Sequence, residues 1–473
     1  MMVSVVWFRR DLRMTDHKAL AKAIAARQPI LCFFHLNEKQ LSSSPTPNQS
    51  AFLASLMHFQ EELKKKNIEL HLVYGELLPS LEKLYCDLPD WTDVYFNYDE
   101  SGFGRKRDQA AATFFREKGI AIHAYQDHYL HGSQEVLNQT GQSYKVFTPY
   151  YKSWIQLPKE TPISIELSQA TWLSMKTSSQ VLHQIKHLWD GTSLHYPGTE
   201  QAQAVLADFV SSSLAEYDKM RDFPAKSGTS RLSSYLRSGE ISIRQVYHVV
   251  RQAPTSQGQA TFIKELAWRD FYNMIYVCHP EQKERSIQPA FDLVEWENHP
   301  ADLEAWKKGQ TGYPIIDAAM RQLSQTGWMH NRLRMIVASF LTKDLLIDWR
   351  LGEKHFQEML IDYDAASNIG GWQWAASTGT DAVPYFRIFN PVTQSQRFDP
   401  QGDFIKTYLP ELRSLPAKHV HQPWKLPKNL EEELNFELGR DYPKPIVDHS
   451  LQRKRAIAKY EWAKENYHSN KKS

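Results

Sequence analysis

The chain has 473 residues, enough for about two to four domains with cores of their own, and a formal net charge of only +2. So small a charge neither indicates nor excludes nucleic-acid binding, and any DNA-binding surface must be a local patch. No apolar run approaches the roughly 18 residues of a membrane span, and three cysteines without C-x-x-C spacing argue against a structural zinc site and favour reduced, buried thiols in a cytosolic protein.

Short β-rich runs alternate with helical patterns through the first third of the chain. We predict strands at residues 3–8, 30–36, 69–74, 94–97 and 120–124, and helices among them at 51–66 and 105–118. Strands that alternate with helices predict a doubly wound parallel sheet and therefore an N-terminal α/β domain. No G-x-G-x-x-G follows the first strand, which disfavours a dehydrogenase of the Rossmann type.

The rest of the chain changes character twice. Residues 125–197 lose periodicity and collect Gly, Ser, Thr and Pro, which is typical of a long connector packed over the surface. From residue 199 onward the periodicity predicts helices, at 201–209, 242–251, 261–278, 315–326, 331–349 and 354–360. We therefore expect an α/β domain over 1–130, a connector over 131–198 and an all-α domain over 199–473, whose lysine-rich end should fray.

The helical half carries many aromatic side chains beside charged ones. Seven of the fourteen tryptophans lie between residues 261 and 381, which suggests a cavity for a large aromatic cofactor as well as a dense core. On the predicted helix 261–278, one face holds Glu265, Trp268, Arg269 and Tyr272. Spacing alone favours a salt-bridged, partly solvated surface for this face, because unpaired buried charge is costly.

A second helix face is ambiguous from the residues alone. Trp328, Asn331, Arg332 and Met335 follow helical spacing. Asn and Arg suit base edges and phosphates, while Trp and Met offer flat or deformable apolar surface. An ordinary amphipathic helix with a capped start fits the same residues equally well.

Two polar segments have competing interpretations. The hydroxyl-rich segment 226–234 has the composition of a phosphate-binding loop, although such a segment is more often an ordinary helix N-cap. The D-x-D opening of segment 362–368 resembles a divalent metal loop, but it lacks the later acid of such loops. We therefore expect no metal site.

Several long segments are similar to the photolyase/cryptochrome family. They are VWFRRDLR at 6–13, GTSRL at 228–232, TGYPIIDAAMR at 311–321, WMHNRLRM at 328–335 and GGWQWAASTG at 370–379. The resemblance covers nearly the whole chain and is greatest to bacterial class I cyclobutane pyrimidine dimer photolyases. It implies an α/β antenna domain, a connector, and a helical domain that binds FAD and DNA. It also implies light-dependent repair of such dimers by an electron from excited, reduced FAD.

The resemblance implies a set of FAD-binding residues. They are Tyr217, Thr229, Ser230, Arg231, Leu232, Ser233, Phe262, Arg269, Arg334, Asp362, Tyr363, Asp364 and Asn368. In this set, 229–233 hold the pyrophosphate and ribityl region, and Arg334 pairs with Asp362. Asn368 faces flavin N5, where an amide can donate or accept a hydrogen bond. Relatives often carry tryptophan near the adenine, at the position of Phe262.

The residues implied in catalysis and in DNA binding overlap. The catalytic set is Glu265, Asn331, Met335 and an electron-hopping chain of Trp372, Trp349 and Trp296. The DNA-binding set is Arg221, Glu265, Trp268, Tyr272, Asn331, Arg332, Trp374 and Gln394. The partner is DNA that contains cyclobutane pyrimidine dimers, and the dimer must be flipped out of the duplex because it cannot be reached inside the base stack.

The resemblance also implies a second, antenna chromophore. Methenyltetrahydrofolate is the family's folate antenna, and its binders carry an Asn-Glu pair where this chain has Phe103-Gly104 before Arg105. Lys283 nevertheless matches a basic antenna position. Without the polar pair, we expect a folate to bind weakly, and a deazaflavin is the alternative.

Related functions stay open as alternatives. A pyrimidine–pyrimidone photoproduct photolyase typically has histidines where this chain has Asn331 and Met335, and DASH cryptochromes usually have Gln for Met335 and Tyr for Trp374. A signalling cryptochrome without catalysis is a third alternative, which a repair assay would separate. We expect a bacterial, cytoplasmic monomer that associates with the nucleoid when it binds DNA.

Overall fold

The computed structural model describes residues 2–470, which form two compact units. Unit 1 contains the residues up to 215 together with 230–280 and 361–364, and unit 2 contains 216–229, 281–360 and the residues from 365 onward. The lysine-rich end predicted to fray, 471–473, lies outside the described residues. The predicted domain boundaries near 130 and 198 stay a prediction.

The strands and helices are given in chain order. The strands are β1 (Val3–Phe8), β2 (Ile30–Asn37), β3 (Leu70–Gly75), β4 (Trp91–Asn97) and β5 (Ala121–Tyr125). The helices of the first half are α1 (Lys18–Ala25), α2 (Pro47–Lys65), α3 (Leu77–Asp87), α4 (Gly102–Glu117), α5 (Phe147–Trp154), α6 (Ser179–Leu188), α7 (Thr199–Ser212), α8 (Tyr217–Met220), α9 (Ser233–Ser238) and α10 (Ile243–Gln252). Those of the second half are α11 (Gln257–Cys278), α12 (Pro300–Lys308), α13 (Pro314–Thr326), α14 (Asn331–Ser339), α15 (Trp349–Met359), α16 (Ala365–Ala375), α17 (Pro391–Phe398), α18 (Asp403–Tyr408), α19 (Ala417–Val420), α20 (Lys428–Leu434) and α21 (His449–Asn470).

Unit 1 is built on one parallel sheet with the strand order β3-β2-β1-β4-β5. In the central pair, Val5 of β1 lies opposite Leu31 of β2. Successive residues of a strand point to opposite faces, and helices cover both faces of this sheet: Val5 and Trp7 pack with α3 and α4, whereas Val6 and Phe8 pack with α1 and α2. The predicted doubly wound parallel sheet is confirmed, with every strand within three residues of its predicted ends.

The segment after the sheet is less superficial than predicted. Its helix α5 buries Phe147, Tyr150 and Trp154. The indole nitrogen of Trp154 donates to Asp270 Oδ2 at 2.9 Å. The prediction of a connector that only covers the surface was wrong here, because a loss of periodicity does not reveal a short helix that is anchored by large aromatic side chains.

One predicted helix was wrong in its second half. The helix expected at 331–349 ends before a π-helical turn at Phe340–Asp344, and Trp349 begins the separate helix α15. The π turn buries Lys343, whose ammonium donates to the carbonyl oxygen of Ala376 at 3.2 Å. A lysine in a helical pattern suggests a solvated face, so the pattern gave no sign of this buried turn.

Six other predicted helices, 51–66, 105–118, 201–209, 242–251, 261–278 and 315–326, match α2, α4, α7, α10, α11 and α13 within four residues at either end, whereas the helix predicted at 354–360 begins five residues after the start of α15. Cys32 is buried, but Cys86 and Cys278 are exposed, so the prediction of buried thiols was wrong for these two. Over residues 2–470, no helix combines the length and the apolar composition that crossing a membrane requires. In the same residues, no three His, Cys, Asp or Glu side chains are placed to share a metal ion.

Candidate functional site

The polar and aromatic face predicted for residues 261–278 lies on α11 of unit 1. The helix begins after Ser256, whose side chain accepts a hydrogen bond from a main-chain nitrogen of the first turn. Glu265, Trp268, Arg269 and Tyr272 are each half-buried. The structure therefore brings these four side chains together on a surface that a ligand can reach.

Trp268 is held flat by other aromatic rings. It stacks on Phe147 of α5, with ring centroids 3.6 Å apart and planes 8° from parallel. On its own helix it contacts Tyr272, at a centroid distance of 5.4 Å. Neighbours on two sides fix the plane of the indole, and a fixed, half-buried indole is suited to stack on a planar ligand.

Two predicted flavin contacts on α11 differ in exposure. Arg269 is half-buried; its guanidinium lies 4.6 Å from the ring centroid of Tyr129 and donates to the carbonyl of His128. Phe262 is only 5% exposed and packs against Phe209, at a centroid distance of 4.8 Å. Arg269 therefore has a fixed direction, while Phe262 has little accessible surface for a ligand to contact.

The acidic segment that begins at Asp362 includes an ion pair within unit 1. Asp362 and Tyr363 are buried, and Asp364 Oδ2 accepts from Arg10 Nη1 at 3.1 Å. Arg10 also donates through Nε to Asp99 Oδ1 at 2.8 Å. Burial acts to lower the pKa of the Arg10 guanidinium, but the Asp99 carboxylate raises it overall, so Arg10 is a cation that orients Asp364.

The hydroxyl-rich segment divides between the units. In unit 1, Ser230 accepts through Oγ from the main-chain nitrogen of Leu232 at 3.4 Å, and Leu232 is buried. Arg231 has a positive φ of 54°, which is uncommon for a residue with a side chain. Arg231 and Ser233 are exposed. The turn thus buries the leucine and exposes the guanidinium and one hydroxyl.

In unit 2, the main chain of the same segment passes close to Met220 at Gly228. A Cβ added to Gly228 would lie 2.6 Å from the Cβ of Met220, so a side chain does not fit there. The following Thr229 is half-buried. Tyr217 is buried at the start of α8, and the guanidinium of Arg221 lies 5.6 Å from its ring centroid.

The second predicted face lies at the start of α14 in unit 2. His330 caps the helix by accepting from the main-chain nitrogen of Arg332 at 3.1 Å. Asn331 is exposed, and Met335 is half-buried. Arg334 is half-buried and donates through Nε to a main-chain carbonyl just before the helix, at 2.8 Å. Its predicted pairing with an acid of segment 362–364 stays a prediction.

The guanidinium of Arg332 has partners that the sequence did not suggest. It donates through Nη2 to Asp222 Oδ1 at 2.8 Å. It also lies 4.5 Å from the ring centroid of Phe398. Arg332 is therefore held in place, with part of its side chain still accessible.

Helix α16 and the next helix along the chain, α17, carry three further side chains that were predicted to bind the cofactor or DNA. Asn368 donates through Nδ2 to the buried Glu353, at 3.1 Å from Oε1. Because the amide nitrogen is directed to Glu353, the amide oxygen is the atom suited to accept from a ligand. Trp374 and Gln394 are half-buried.

The three tryptophans of the predicted electron chain all lie in unit 2. Trp372 on α16 and Trp349 at the start of α15 are 2% and 1% exposed. Gly352 lets the two helices approach, since an added Cβ would lie 2.2 Å from the Trp372 ring. Trp296 is half-buried. The residue after it donates its main-chain N–H to the carbonyl of Leu346 at 2.7 Å, which ties its segment to the residues that precede Trp349.

Unit 1 also contains a large cavity beside α4. Its volume is about 1110 Å³, and its lining includes Asp99, Arg105 and Arg116. Phe103, at the predicted antenna position, is 41% exposed. A Cβ added to Gly104 would lie 2.3 Å from the Asp99 carboxylate, so a glutamate at this position would require Asp99 to move. Lys283 is exposed in unit 2.

The sequence did not reveal two residues that hold site residues in place, because each lies far from its partner in the chain. Arg10 lies in a segment that carried the family resemblance, but nothing local connects it with Asp364, 354 residues later. Asp222 is likewise 110 residues from Arg332. Only the folded chain reveals such pairs.

Comparisons with known proteins agree over nearly the whole length. Residues 4–165 match the family described as DNA photolyase, and residues 262–462 match the FAD-binding domain of DNA photolyase. A deoxyribodipyrimidine photo-lyase of Alkalihalophilus pseudofirmus is 46% identical over 469 residues, which cover 96% of this chain and 97% of the relative. A bacterial class III photolyase of Agrobacterium tumefaciens is similar in structure, with a TM-score of 0.91, 34% identity and 98% of each chain covered. An archaeal photolyase of Sulfolobus tokodaii, solved with two FAD molecules, has a TM-score of 0.82 and 31% identity, over 97% of this chain and 100% of that one.

Proposed function

The chain belongs to the DNA photolyase family and repairs cyclobutane pyrimidine dimers in DNA in a light-dependent reaction, and we propose which of its residues perform this work. It carries the FAD-binding domain of that family. Bound FAD supplies, in its reduced and excited form, the electron that opens the dimer. The protein's own residues hold the cofactor, present the dimer and supply an electron when FAD has become oxidised.

The donor set fits FAD. We assign the pyrophosphate and ribityl region to Thr229, Ser230, Arg231, Leu232 and Ser233, where exposed hydroxyl and guanidinium groups suit an anionic ligand. Two of these side chains, Arg231 and Ser233, are exposed on a turn whose leucine is buried. Tyr217, Phe262 and Arg334 are assigned to the same cofactor through the family resemblance.

The flavin ring needs partners that tolerate its reduced form. We assign Asp362, Tyr363, Asp364, Arg269 and Asn368 to it. Arg10 orients Asp364 through its 3.1 Å ion pair. The Asn368 amide, with its nitrogen bound to Glu353, is oriented to accept a hydrogen bond, which suits a ring nitrogen that carries a proton.

The half-buried face of α11 is the observation that carries the proposed dimer site. Trp268, fixed on Phe147 at 3.6 Å, is placed to stack on the flipped dimer. Glu265 is placed to hydrogen-bond the carbonyl edge of the dimer, where negative charge develops once the electron arrives. By the family resemblance we also assign Tyr272, Asn331, Met335 and Trp374 to the dimer and adjacent bases, with Gln394 as a further DNA contact.

Replacing Glu265 tests this assignment. In Glu265→Ala we expect FAD to stay bound and repair per absorbed photon to fall severalfold, because one hydrogen bond to the dimer is lost, while Glu265→Gln should keep part of the yield. The assay follows repair of a thymine-dimer oligonucleotide by previously reduced enzyme, at DNA concentrations that saturate each variant. An unchanged yield in Glu265→Ala would remove Glu265 from the site.

The remaining assignments concern supply of light and electrons. We propose that Trp372, Trp349 and Trp296 carry an electron inward to reload oxidised FAD. We also propose that a second chromophore binds unit 1, for which the cavity of about 1110 Å³ is large enough. The relative with two FAD molecules supports a second pigment in this family, and methenyltetrahydrofolate is the candidate by family resemblance.

The cellular setting is proposed on the same basis. We propose that the protein acts as a cytoplasmic monomer and is associated with the nucleoid when it binds DNA. The domain division proposed from the sequence is an antenna domain over 1–130, a connector over 131–198 and a catalytic domain over 199–473. Affinity for DNA is assigned mainly to phosphate contacts of Arg221 and Arg332, and selectivity to the dimer site.

A further inference from the structure

A carboxylate, that of Asp222, lies beside the arginines proposed to contact DNA phosphates. Asp222 Oδ1 accepts from Arg332 Nη2 at 2.8 Å and lies 3.9 Å from Arg221 Nε. The Asp222 side chain is 35% exposed, so it faces solvent beside the two guanidiniums. An acid on a surface that must accept a polyanion weakens the binding that the arginines provide, and its presence there needs a physical reason.

The positions of these arginines do not depend on Asp222 alone. Arg332 also lies over the ring of Phe398, at 4.5 Å, and its main-chain nitrogen donates to the helix cap. Arg397 lies over the same ring at 5.1 Å. A guanidinium over an aromatic ring is attracted to the face of the ring, so Arg332 has a second contact that does not involve Asp222. We call Arg221, Asp222, Arg332, Arg397 and Phe398 the Asp222 cluster.

The contribution of the ion pair to stability is small. Partly exposed pairs typically contribute about 0–1 kcal/mol, because water screens the charges and the side chains lose freedom. The effect of the charge on DNA binding is larger, since each arginine that is free to neutralise a phosphate releases one counterion from the DNA. Asp222 therefore matters more for binding than for folding.

We propose that Asp222 restrains binding to undamaged DNA. It neutralises one of the three guanidiniums of the Asp222 cluster, so an undamaged backbone, which offers only phosphates, is bound less tightly. Dimer-containing DNA is still retained, because stacking and hydrogen bonds in the dimer site add to the phosphate contacts. The inference rests on the proposed DNA contacts of Arg221 and Arg332.

The test is Asp222→Asn, which keeps the size of the side chain and removes its charge. Binding to undamaged duplex DNA should tighten about tenfold at low salt, and the slope of log K against log salt should steepen by about one. Binding to a duplex with one thymine dimer should tighten by a similar factor, because the same phosphate contact is gained, but from a higher starting affinity. The matched control is Glu437→Gln, which removes one negative charge from another arginine pair, Glu437 with Arg440 at 2.9 Å. It should change neither affinity.

The possible outcomes separate this inference from the proposed function. If Asp222→Asn weakens binding to both DNAs, or leaves the salt slope as in the unaltered protein, the inference is wrong and Asp222 only positions Arg332 or does nothing. Arg332→Ala should weaken binding to both DNAs and flatten the slope. If Arg332→Ala binds every DNA as the unaltered protein does, the proposed DNA contact itself fails, whatever Asp222→Asn does. In the double variant Asp222→Asn with Arg332→Ala, the gain from Asp222→Asn should shrink, and a gain of full size would contradict a coupling between the two side chains.

Discussion

Gly352, which packs against Trp372 of the predicted electron chain, offers a quantitative test of the packing in unit 2. A Cβ added to Gly352 would lie 2.2 Å from Cη2 of Trp372 and 2.5 Å from Cδ2 of Leu341. The Trp372 ring cannot move away easily, because it is 2% exposed and packs on Phe356 and Trp306, at centroid distances of 5.0 and 6.1 Å. An alanine at position 352 is thus forced into a filled core.

Two opposing effects set the outcome of Gly352→Ala. Alanine in a helix interior is favoured over glycine by about 1 kcal/mol, whereas overpacking a filled core costs about 1–3 kcal/mol. The added Cβ and the Trp372 ring would have to separate by more than 1 Å, from 2.2 Å to an ordinary contact of about 3.5–4.0 Å. The cost of overpacking at this site is therefore at the upper end of that range. We therefore expect the unfolding free energy to fall by about 2 kcal/mol, and the unfolding temperature of a chain of 473 residues by about 2 °C.

The control is a second glycine with the opposite expectation. A Cβ added to Gly371 on α16 meets no atom within 4 Å, so Gly371→Ala should raise the unfolding free energy by up to about 1 kcal/mol. Thermal unfolding of both variants, followed by far-ultraviolet circular dichroism, compares them directly. The reasoning fails if Gly352→Ala is as stable as the unaltered protein, or if both variants shift in the same direction.

Two other predictions concern light. Trp296→Phe should abolish photoreduction of oxidised FAD with an external donor present, while repair by chemically reduced enzyme stays nearly normal; a photoreduction rate equal to that of the unaltered protein would contradict its place in the chain. A folate, if used, should be lost on purification, because the polar partners that Phe103-Gly104 replace each typically contribute about 1–3 kcal/mol when the ligand group is buried. Extraction of the chromophores after extensive dialysis measures this, and one folate retained per chain would show the prediction wrong.

The sheet could be predicted because its signal is local. Strands buried on both faces read as apolar runs, and β1 was predicted to the residue, at Val3–Phe8. The main shortfall was β4, which begins three residues earlier than expected, at Trp91. Thr92 and Asp93 are polar, so no apolar run marks the beginning of that strand.

The π turn and the partners of the site residues could not be predicted, because their cause is non-local. The burial of Lys343 depends on Ala376 and Ser377, more than 30 residues later, which provide oxygen acceptors for its amino group. Helical periodicity places such a lysine on a solvated face. The family resemblance could identify Trp268 and Arg332, but it said nothing of Phe147 or Asp222, which fix their directions.

The hydrogen bonding of the buried indoles in unit 2 bears on the proposed electron chain. Trp306 donates through Nε1 to the carbonyl of Val337 at 3.1 Å. The indole nitrogens of Trp349 and Trp372 find no acceptor among residues 2–470. Leaving a buried donor unpaired typically costs about 1–3 kcal/mol, so this arrangement opposes folding at two sites.

The same arrangement favours charge transfer. An indole that has lost an electron becomes a stronger acid, and with no protein acceptor beside its nitrogen it loses its proton less readily. The positive charge then stays mobile and can pass from Trp372 and Trp349 to a neighbouring ring instead of being trapped. Trp296 is half-buried, so water can take the proton of its oxidised indole, and the neutral radical that remains holds the oxidising equivalent at the outer end. The two tryptophans whose indole nitrogens lack an acceptor in the part of the chain that the structure describes, Trp349 and Trp372, are the two proposed to pass the charge along. Trp306 is equally buried, but its nitrogen is hydrogen-bonded and it has no place in the proposed chain.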